Sequence, residues 1–181
     1  NLPNQNQMAS WAYVLFTSGS TGAPKGAISR HNGAMNHILA EYEWLELTDD
    51  FRFLQSAGIG SDISVWQMLA PVLKGGAAVI IDKMDLLDYE VVLDLIETQE
   101  VTLAEFVPSY VWGLIDHVRN HQQTRTLPTL QWLLMSGEEL PVKLVNDWLD
   151  LFPQIPMLNV YGPCEASDDI SQYAIRGKVN P

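Results

Sequence analysis

Residues Tyr13 to Gly26 read YVLFTSGSTGAPKG. The run Ala12-Tyr13-Val14-Leu15-Phe16 has the length and composition of a buried strand. It stops at Thr17-Ser18-Gly19-Ser20-Thr21-Gly22, where every side chain is small and four carry hydroxyls. Glycines let such a loop bring its N–H groups close to an anion, and the hydroxyls add further donors. Pro24 stiffens the return, and Lys25 supplies a point positive charge. We therefore read a strand, a loop that grips a polyphosphate, and a second short strand at Ala27-Ile28-Ser29. A Walker loop is excluded, since it needs four residues between its first glycine and a Gly-Lys-Ser/Thr triplet. Here Ala23-Pro24 separate Gly22 from Lys25, and Gly26 follows the lysine. A Ser/Gly linker is the competing reading, but linkers seldom follow a buried strand and end in Pro-Lys-Gly.

Outward from this loop, helical and strand-like segments alternate. Helices are expected over 32–44, 63–73, 89–99, 110–121 and 142–152, with Pro71 kinking the second or marking its last turn. Strands are expected over 51–55, 77–81, 102–107, 130–135 and 157–160. Strands joined by helices of this length predict an α/β fold, a predominantly parallel sheet with helices covering its layers. The polar stretch 1–10, NLPNQNQMAS, reads as a linker or a frayed lead-in.

Composition narrows the functional classes. A chain of 181 residues that is 47% hydrophobic and 18% charged can bury a real core. A net charge of −12 argues against a nucleic-acid groove, which needs clustered Lys and Arg. The single cysteine, Cys164, excludes an internal disulfide. No apolar run reaches membrane-spanning length and no signal peptide opens the chain, so a cytoplasmic protein with no membrane partner is expected.

The loop at Thr17–Lys25 resembles the signature loop of the adenylate-forming superfamily, which includes acyl-CoA synthetases, luciferases and the adenylation domains of non-ribosomal peptide synthetases. The resemblance implies that Thr17, Ser18, Gly19, Ser20, Thr21, Gly22 and Lys25 hold the β- and γ-phosphates of ATP. A second match is Asn159-Val160-Tyr161-Gly162-Pro163-Cys164-Glu165, similar to the family's N-x-Y-G-P-T-E segment. It implies an adenine platform at Tyr161, a pocket shaped by Asn159 and Gly162, and a Mg²⁺ ligand at Glu165; an aromatic face suits a flat base and a carboxylate suits a hard cation. Lys25 and Glu165 are thus the expected catalytic residues. Cys164 stands where the family usually has threonine, and a thiol is the weaker donor. No histidine partner points to a cysteine nucleophile. Gly137 and Glu138 resemble the stretch beside the adenine pocket.

A third match, Ser61-Asp62-Ile63-Ser64-Val65-Trp66-Gln67, is similar to the F-D-x-S-v-w segment of peptide-synthetase adenylation domains, whose aspartate binds the substrate's α-ammonium group. Ser61 replaces the usual phenylalanine, and Asp62 taken alone is equally a first-turn acid of a helix. By offset, the resemblance implies a side-chain pocket lined by Asp62, Ile63, Trp66, Glu105, Leu134, Ser136, Val160, Asp168 and Asp169. Glu105 lies in an apolar strand, where a carboxylate needs a partner. With Asp169 it resembles the acidic pairing of domains that select ornithine, lysine or arginine, and Trp66 is positioned to stack on a guanidinium. The competing reading leaves Glu105 in solvent or paired with an internal arginine. His31, His37, His117 and His121 are expected at the surface or in packing.

The resemblance covers about residues 11–177 and implies the central part of the large N-terminal subdomain, so 11–181 is read as a partial adenylation domain. Neither the ribose-binding Y-x-T-G-D motif nor the C-terminal subdomain is found. The implied parent joins an amino acid and Mg·ATP into an aminoacyl-adenylate plus pyrophosphate, then loads phosphopantetheine on a separate peptidyl carrier domain among other synthetase modules. This piece is expected to turn over little alone. Competing classes are an acyl-CoA or aryl-acid ligase, which would not need Asp62, and a non-catalytic interaction fragment.

Overall fold

The structure, a computed structural model, describes residues 7–17, 23–121 and 124–180. Strand β1 (Trp11–Thr17) and strand β2 (Lys25–Arg30) form an antiparallel ribbon, with Thr17 opposite Lys25. Helix α1 (His31–Trp44) follows directly. The main sheet then alternates strand and helix: β3 (Arg52–Gln55), α2 (Asp62–Lys74), β4 (Ala77–Ile80), α3 (Tyr89–Thr98), β5 (Leu103–Phe106), α4 (Pro108–Asn120), β6 (Trp132–Met135), α5 (Val142–Leu151), β7 (Met157–Tyr161) and β8 (Ser171–Ile175). Its six strands run in the order β4-β3-β5-β6-β7-β8, all parallel except β8, which pairs antiparallel with β7. The α/β class and the parallel sheet expected from the alternation are what is found.

Strand alternation sends successive residues to opposite faces, and both faces are buried. Leu103, Trp132, Leu134, Leu158 and Val160 pack with Ile38 of α1 and Trp66 of α2. Ala104, Phe106, Leu133, Met135 and Met157 pack against α3, α4 and α5 through Leu93, Ile96, Val111, Ile115, Leu144 and Trp148. Because β5 and β6 are buried along their whole length, their segments read as largely apolar runs. Proline at position 71 sits inside α2, which runs on to Lys74; Gly75, with φ of 106°, ends the helix while its N–H bonds back to the Pro71 carbonyl. Pro71 therefore marks the last turn.

One expectation is corrected and one strand went unread. The ribbon strand β1 is not buried: Leu15 alone in it is, and Phe16 is 72% exposed, since a two-stranded ribbon has no second layer to cover both faces. The edge strand β8 is too polar, as SQYAI, to be legible as a strand. No helix among the described residues is long and apolar enough to cross a membrane.

The order β4-β3-β5 places the topological reversal between β3 and β5, where α2 and α3 lie on opposite faces. In open α/β sheets that arrangement opens a crevice at the carboxyl ends of the strands. Strands β3 and β5 share the single register pair Phe53 with Leu103, and beyond it the Ser56 hydroxyl bridges them by donating to the Glu105 carbonyl at 2.7 Å.

Candidate active site

The carboxyl ends of β6 and β7, the start of α2 and the turn before β8 enclose a cavity of about 780 Å³. Asp62 and Ile63 enter it from α2, Ser136 and Gly137 from β6, and Asn159, Tyr161 and Cys164 from β7 and the turn that follows. Asp62 is buried at the first turn of α2, where its Oδ1 accepts from the Ile63 N–H at 3.0 Å and the Ser61 hydroxyl at 3.2 Å. The Cys164 thiol lies against Asp62. Burial, then the Asp62 carboxylate, pushes that thiol up to about 11. Cys164 is therefore a protonated thiol at neutral pH, as expected of a residue that is not a nucleophile.

Two glycines are dictated by geometry. At Gly162 a Cβ would fall 2.0 Å from the Asp168 carbonyl oxygen, so only glycine lets the Asp168–Asp169 turn fold back over the cavity rim. Gly137 has φ of 76°, a left-handed turn that carries the chain out of β6. The next residue, Glu138, accepts from both the N–H (2.9 Å) and the hydroxyl (2.8 Å) of Ser109, which ties its carboxylate to the first turn of α4.

The expected site residues divide into three groups. Asp62, Ile63, Ser136, Val160, Asp168 and Asp169 line the cavity, as do Gly137, Glu138, Asn159, Tyr161, Gly162 and Cys164. Trp66, Glu105 and Leu134 do not line it; Trp66 and Leu134 lie behind it in the core, and buried Glu105 lines a smaller cavity of about 150 Å³ together with Ile63 and Ser136. Ser18, Gly19, Ser20, Thr21 and Gly22 lie outside the described residues. Thr17 ends β1 and Lys25 begins β2, exposed, while β2 packs against the 3-10 turn Cys164–Ala166 that carries exposed Glu165.

Glu105, expected to want a cation, already has two neutral partners. Its Oε2 accepts from the Trp66 indole N–H at 3.1 Å and its Oε1 from the Ser136 hydroxyl at 2.7 Å. Trp66 itself is enclosed by Phe53 and His37, so its ring faces are not open for stacking on a substrate.

Sequence reasoning missed three residues. Tyr13 of β1 feels the site's charges: burial chiefly, with Asp168 and Asp62 adding, raises its phenol despite a bond with Ser29. His37 and Glu41 of α1 are buried beside Asp168 and Asp169. An i, i+4 pair of polar residues facing inward on α1 was the signal available for the last two.

Burial governs the charge state here. It pushes Glu41 up to about 8, with the Asp169 charge adding, and Asp168 up to about 9, with Glu105, Asp169, Asp62 and Glu41 adding. Glu105 and Asp169 also rise, chiefly through burial. Burial holds the His37 imidazole down at about 4, the Asp62 charge only partly opposing it. The raised carboxylates stabilise the fold fully below about pH 4 and lose that contribution as pH climbs through about 8 to 9. His37 works oppositely, contributing above about pH 6.5 and losing this as pH falls through about 4. Above pH 6.5 the carboxylate slope remains, and toward pH 9 the raised Cys164 thiol adds to it in the same direction. Thermal melts of the parent protein are expected to fall steadily from pH 6.5 to 9, and Glu41→Gln with Asp168→Asn to flatten that decline.

A family model described as AMP-binding enzyme matches residues 1–177. The chain belongs to the AMP-binding enzyme family. Among AMP-binding relatives, enterobactin synthase component F of Escherichia coli (strain K12) is 31% identical over 167 residues, 92% of this chain and 13% of its own length. Tyrocidine synthase 3 of Brevibacillus parabrevis is 32% identical over 173 residues, 96% of this chain and 3% of its own. The chain thus spans a small part of these relatives. Among solved structures, the Vibrio cholerae adenylation domain AlmE in complex with glycyl-adenosine-5'-phosphate aligns with a TM-score of 0.80 at 23% identity, over 94% of this chain and 31% of that one. PA1221, a non-ribosomal peptide synthetase protein containing adenylation and PCP domains, aligns with a TM-score of 0.81 at 26% identity, over 93% and 32%. The resemblance to peptide-synthetase adenylation domains holds for sequence and fold alike.

Proposed function

We propose that this AMP-binding chain is the central piece of a domain that activates an α-amino acid with a basic side chain. The observation that carries the reading is that Asp62 and the Asn159–Cys164 segment, far apart in sequence, line one cavity at the strand ends. A carboxylate at a helix start facing a cavity suits an α-ammonium group. The remaining wall is acidic too, through Asp168 and Asp169, with neither lysine nor arginine among the cavity's lining residues.

The residues present fit ATP and Mg²⁺. Tyr161 is 67% exposed at the cavity edge, and its ring is a flat face of the kind a base covers. Glu165 is an exposed carboxylate on the adjoining turn, able to hold a hard cation. Lys25, on a strand packed against that turn, carries the positive charge suited to a phosphate tail. When bound, Mg·ATP supplies an electrophilic phosphorus and a pyrophosphate leaving group. Asp62 anchors the ammonium and so fixes where the substrate carboxylate points, which is the positioning such a displacement requires. The products are an aminoacyl-adenylate and pyrophosphate, and the acyl group passes to a phosphopantetheine thiol on a carrier domain as the acyl–phosphate bond breaks and AMP leaves. Turnover belongs to the parent protein.

ATP–pyrophosphate exchange on the full-length parent tests this. Exchange driven by amino acids, and most strongly by basic ones, supports it. Exchange driven only by fatty or aryl acids would identify an acyl-CoA or aryl-acid ligase instead, for which Asp62 has no ammonium to bind.

A further inference from the structure

Behind the Asp168–Asp169 turn lies a second cavity of about 470 Å³, lined by His37, Glu41 and Gln172 among others. Asp169 lines both this cavity and the larger one, so a single carboxylate stands between them. His37 Nε2 is 3.7 Å from Glu41 Oε1 and 3.9 Å from Asp169, while Nδ1 is 3.8 Å from Asp168. These are too long for hydrogen bonds. They match two acceptors sharing one cationic donor, because two contacts of about 2.8 Å at a right angle span about 3.9 Å.

The atoms around this gap are unsatisfied. His37 Nε2, Glu41 Oε2 and Asp168 Oδ2 have no hydrogen-bond partner, on residues only 6%, 1% and 4% exposed. Buried polar groups are almost always paired, so three unpaired ones on neighbouring residues point to an absent ligand. Among the described residues, neither lysine nor arginine forms an ion pair with Glu41, Asp168 or Asp169; their sole basic neighbour is His37. Glu105 has both oxygens engaged by Trp66 and Ser136 and is the less available acceptor. Gln172 donates to Glu41 Oε1, holding that carboxylate in place and leaving Oε2 open.

We infer that Glu41 and His37, on α1, are specificity-determining residues that form the rear wall of a cation site, receiving the charged end of a basic side chain at Asp169. This rests on the amino-acid reading above and deepens it. Asp62 takes the α-ammonium group at one end of the substrate. Asp169 and Glu41 take the second positive charge at the other end, and neutral His37 accepts one of its N–H groups. Helix α1 thereby selects side chains by charge as well as by length.

The test is pyrophosphate exchange by the full-length parent with arginine and lysine against their neutral counterparts citrulline and norleucine. Wild-type protein is expected to prefer the charged member of each pair. Glu41→Gln should raise KM for arginine or lysine by roughly tenfold, with a much smaller change for the neutral counterpart. His37→Gln provides a second variant should Glu41→Gln fold poorly, and should shrink the same preference. An undiminished charge preference in both variants overturns the inference while leaving the basic-substrate reading intact. Wild-type exchange with neutral amino acids alone overturns that reading itself, and this inference with it. Calorimetry with Zn²⁺ or Mn²⁺ alone supplies the remaining arm: one-to-one binding that Glu41→Gln abolishes would make the occupant a metal ion and overturn the inference.

Discussion

Replacing Asp62 by asparagine in the parent protein is expected to cut amino-acid-dependent pyrophosphate exchange by two to three orders of magnitude, about 3–4 kcal/mol of lost substrate stabilisation. Asparagine keeps the shape and can still accept from the Ile63 N–H and the Ser61 hydroxyl, the local bonds that Asp62 makes. It removes only the negative charge from a buried position at the cavity wall. A buried ammonium without its counter-charge is costly, so the effect should fall on KM and kcat/KM rather than on folding. The melting temperature should stay within a degree or two of wild type, because loss of a first-turn charge at a helix start weakens it by well under about 1 kcal/mol. Exchange by Asp62→Asn at near wild-type efficiency would remove the reason for placing an ammonium group in this cavity.

The second large effect is expected at Glu165. Glu165→Gln should lower exchange roughly a hundredfold at ordinary Mg²⁺ concentrations and move the Mg²⁺ requirement upward. An amide oxygen is a far poorer ligand than a carboxylate for a hard divalent ion. Glu165 is exposed on a short turn and none of the observed ion pairs involves it, so the fold should tolerate the change to within about 0.5 kcal/mol. A Mg²⁺ titration of the variant against wild type separates the two roles open to an exposed glutamate. An unchanged Mg²⁺ midpoint with unchanged rate would return Glu165 to the status of a solvated surface acid.

Much of this architecture was legible because a doubly covered parallel strand leaves a continuous apolar run. Thr102 to Val107 and Leu130 to Met135 could hardly be read otherwise, and β5 and β6 fall inside them. The helices between them were legible from periodicity, and Pro71 was readable as a kink or a final turn because Gly75-Gly76 follow soon after it. The ribbon misled, since an apolar run says that a strand forms but not whether a second layer covers it. Strand β8 was missed because an edge strand with one covered face and polar residues carries little hydrophobic signal.

The candidate site was legible where motif and cavity coincide, at Asp62, Asn159, Tyr161, Gly162 and Cys164. It was legible only in part where a side chain's partner comes from a different element. Glu105 looked like an acid waiting for a cation, yet an indole from α2 and a hydroxyl beyond β6 already satisfy it. Spacing along one strand cannot announce such partners.

The residues by themselves determined the class of fold, the order of its elements and the family, because these follow from local periodicity and from contiguous motifs. Only the tertiary structure decided which acids face the cavity, which are already paired, and that His37 and Glu41 of α1 stand behind Asp169. Hydrogen-bond satisfaction and burial are properties of neighbours in space, and those neighbours come from α1, α2, β6 and the turn before β8, which nothing but folding brings together.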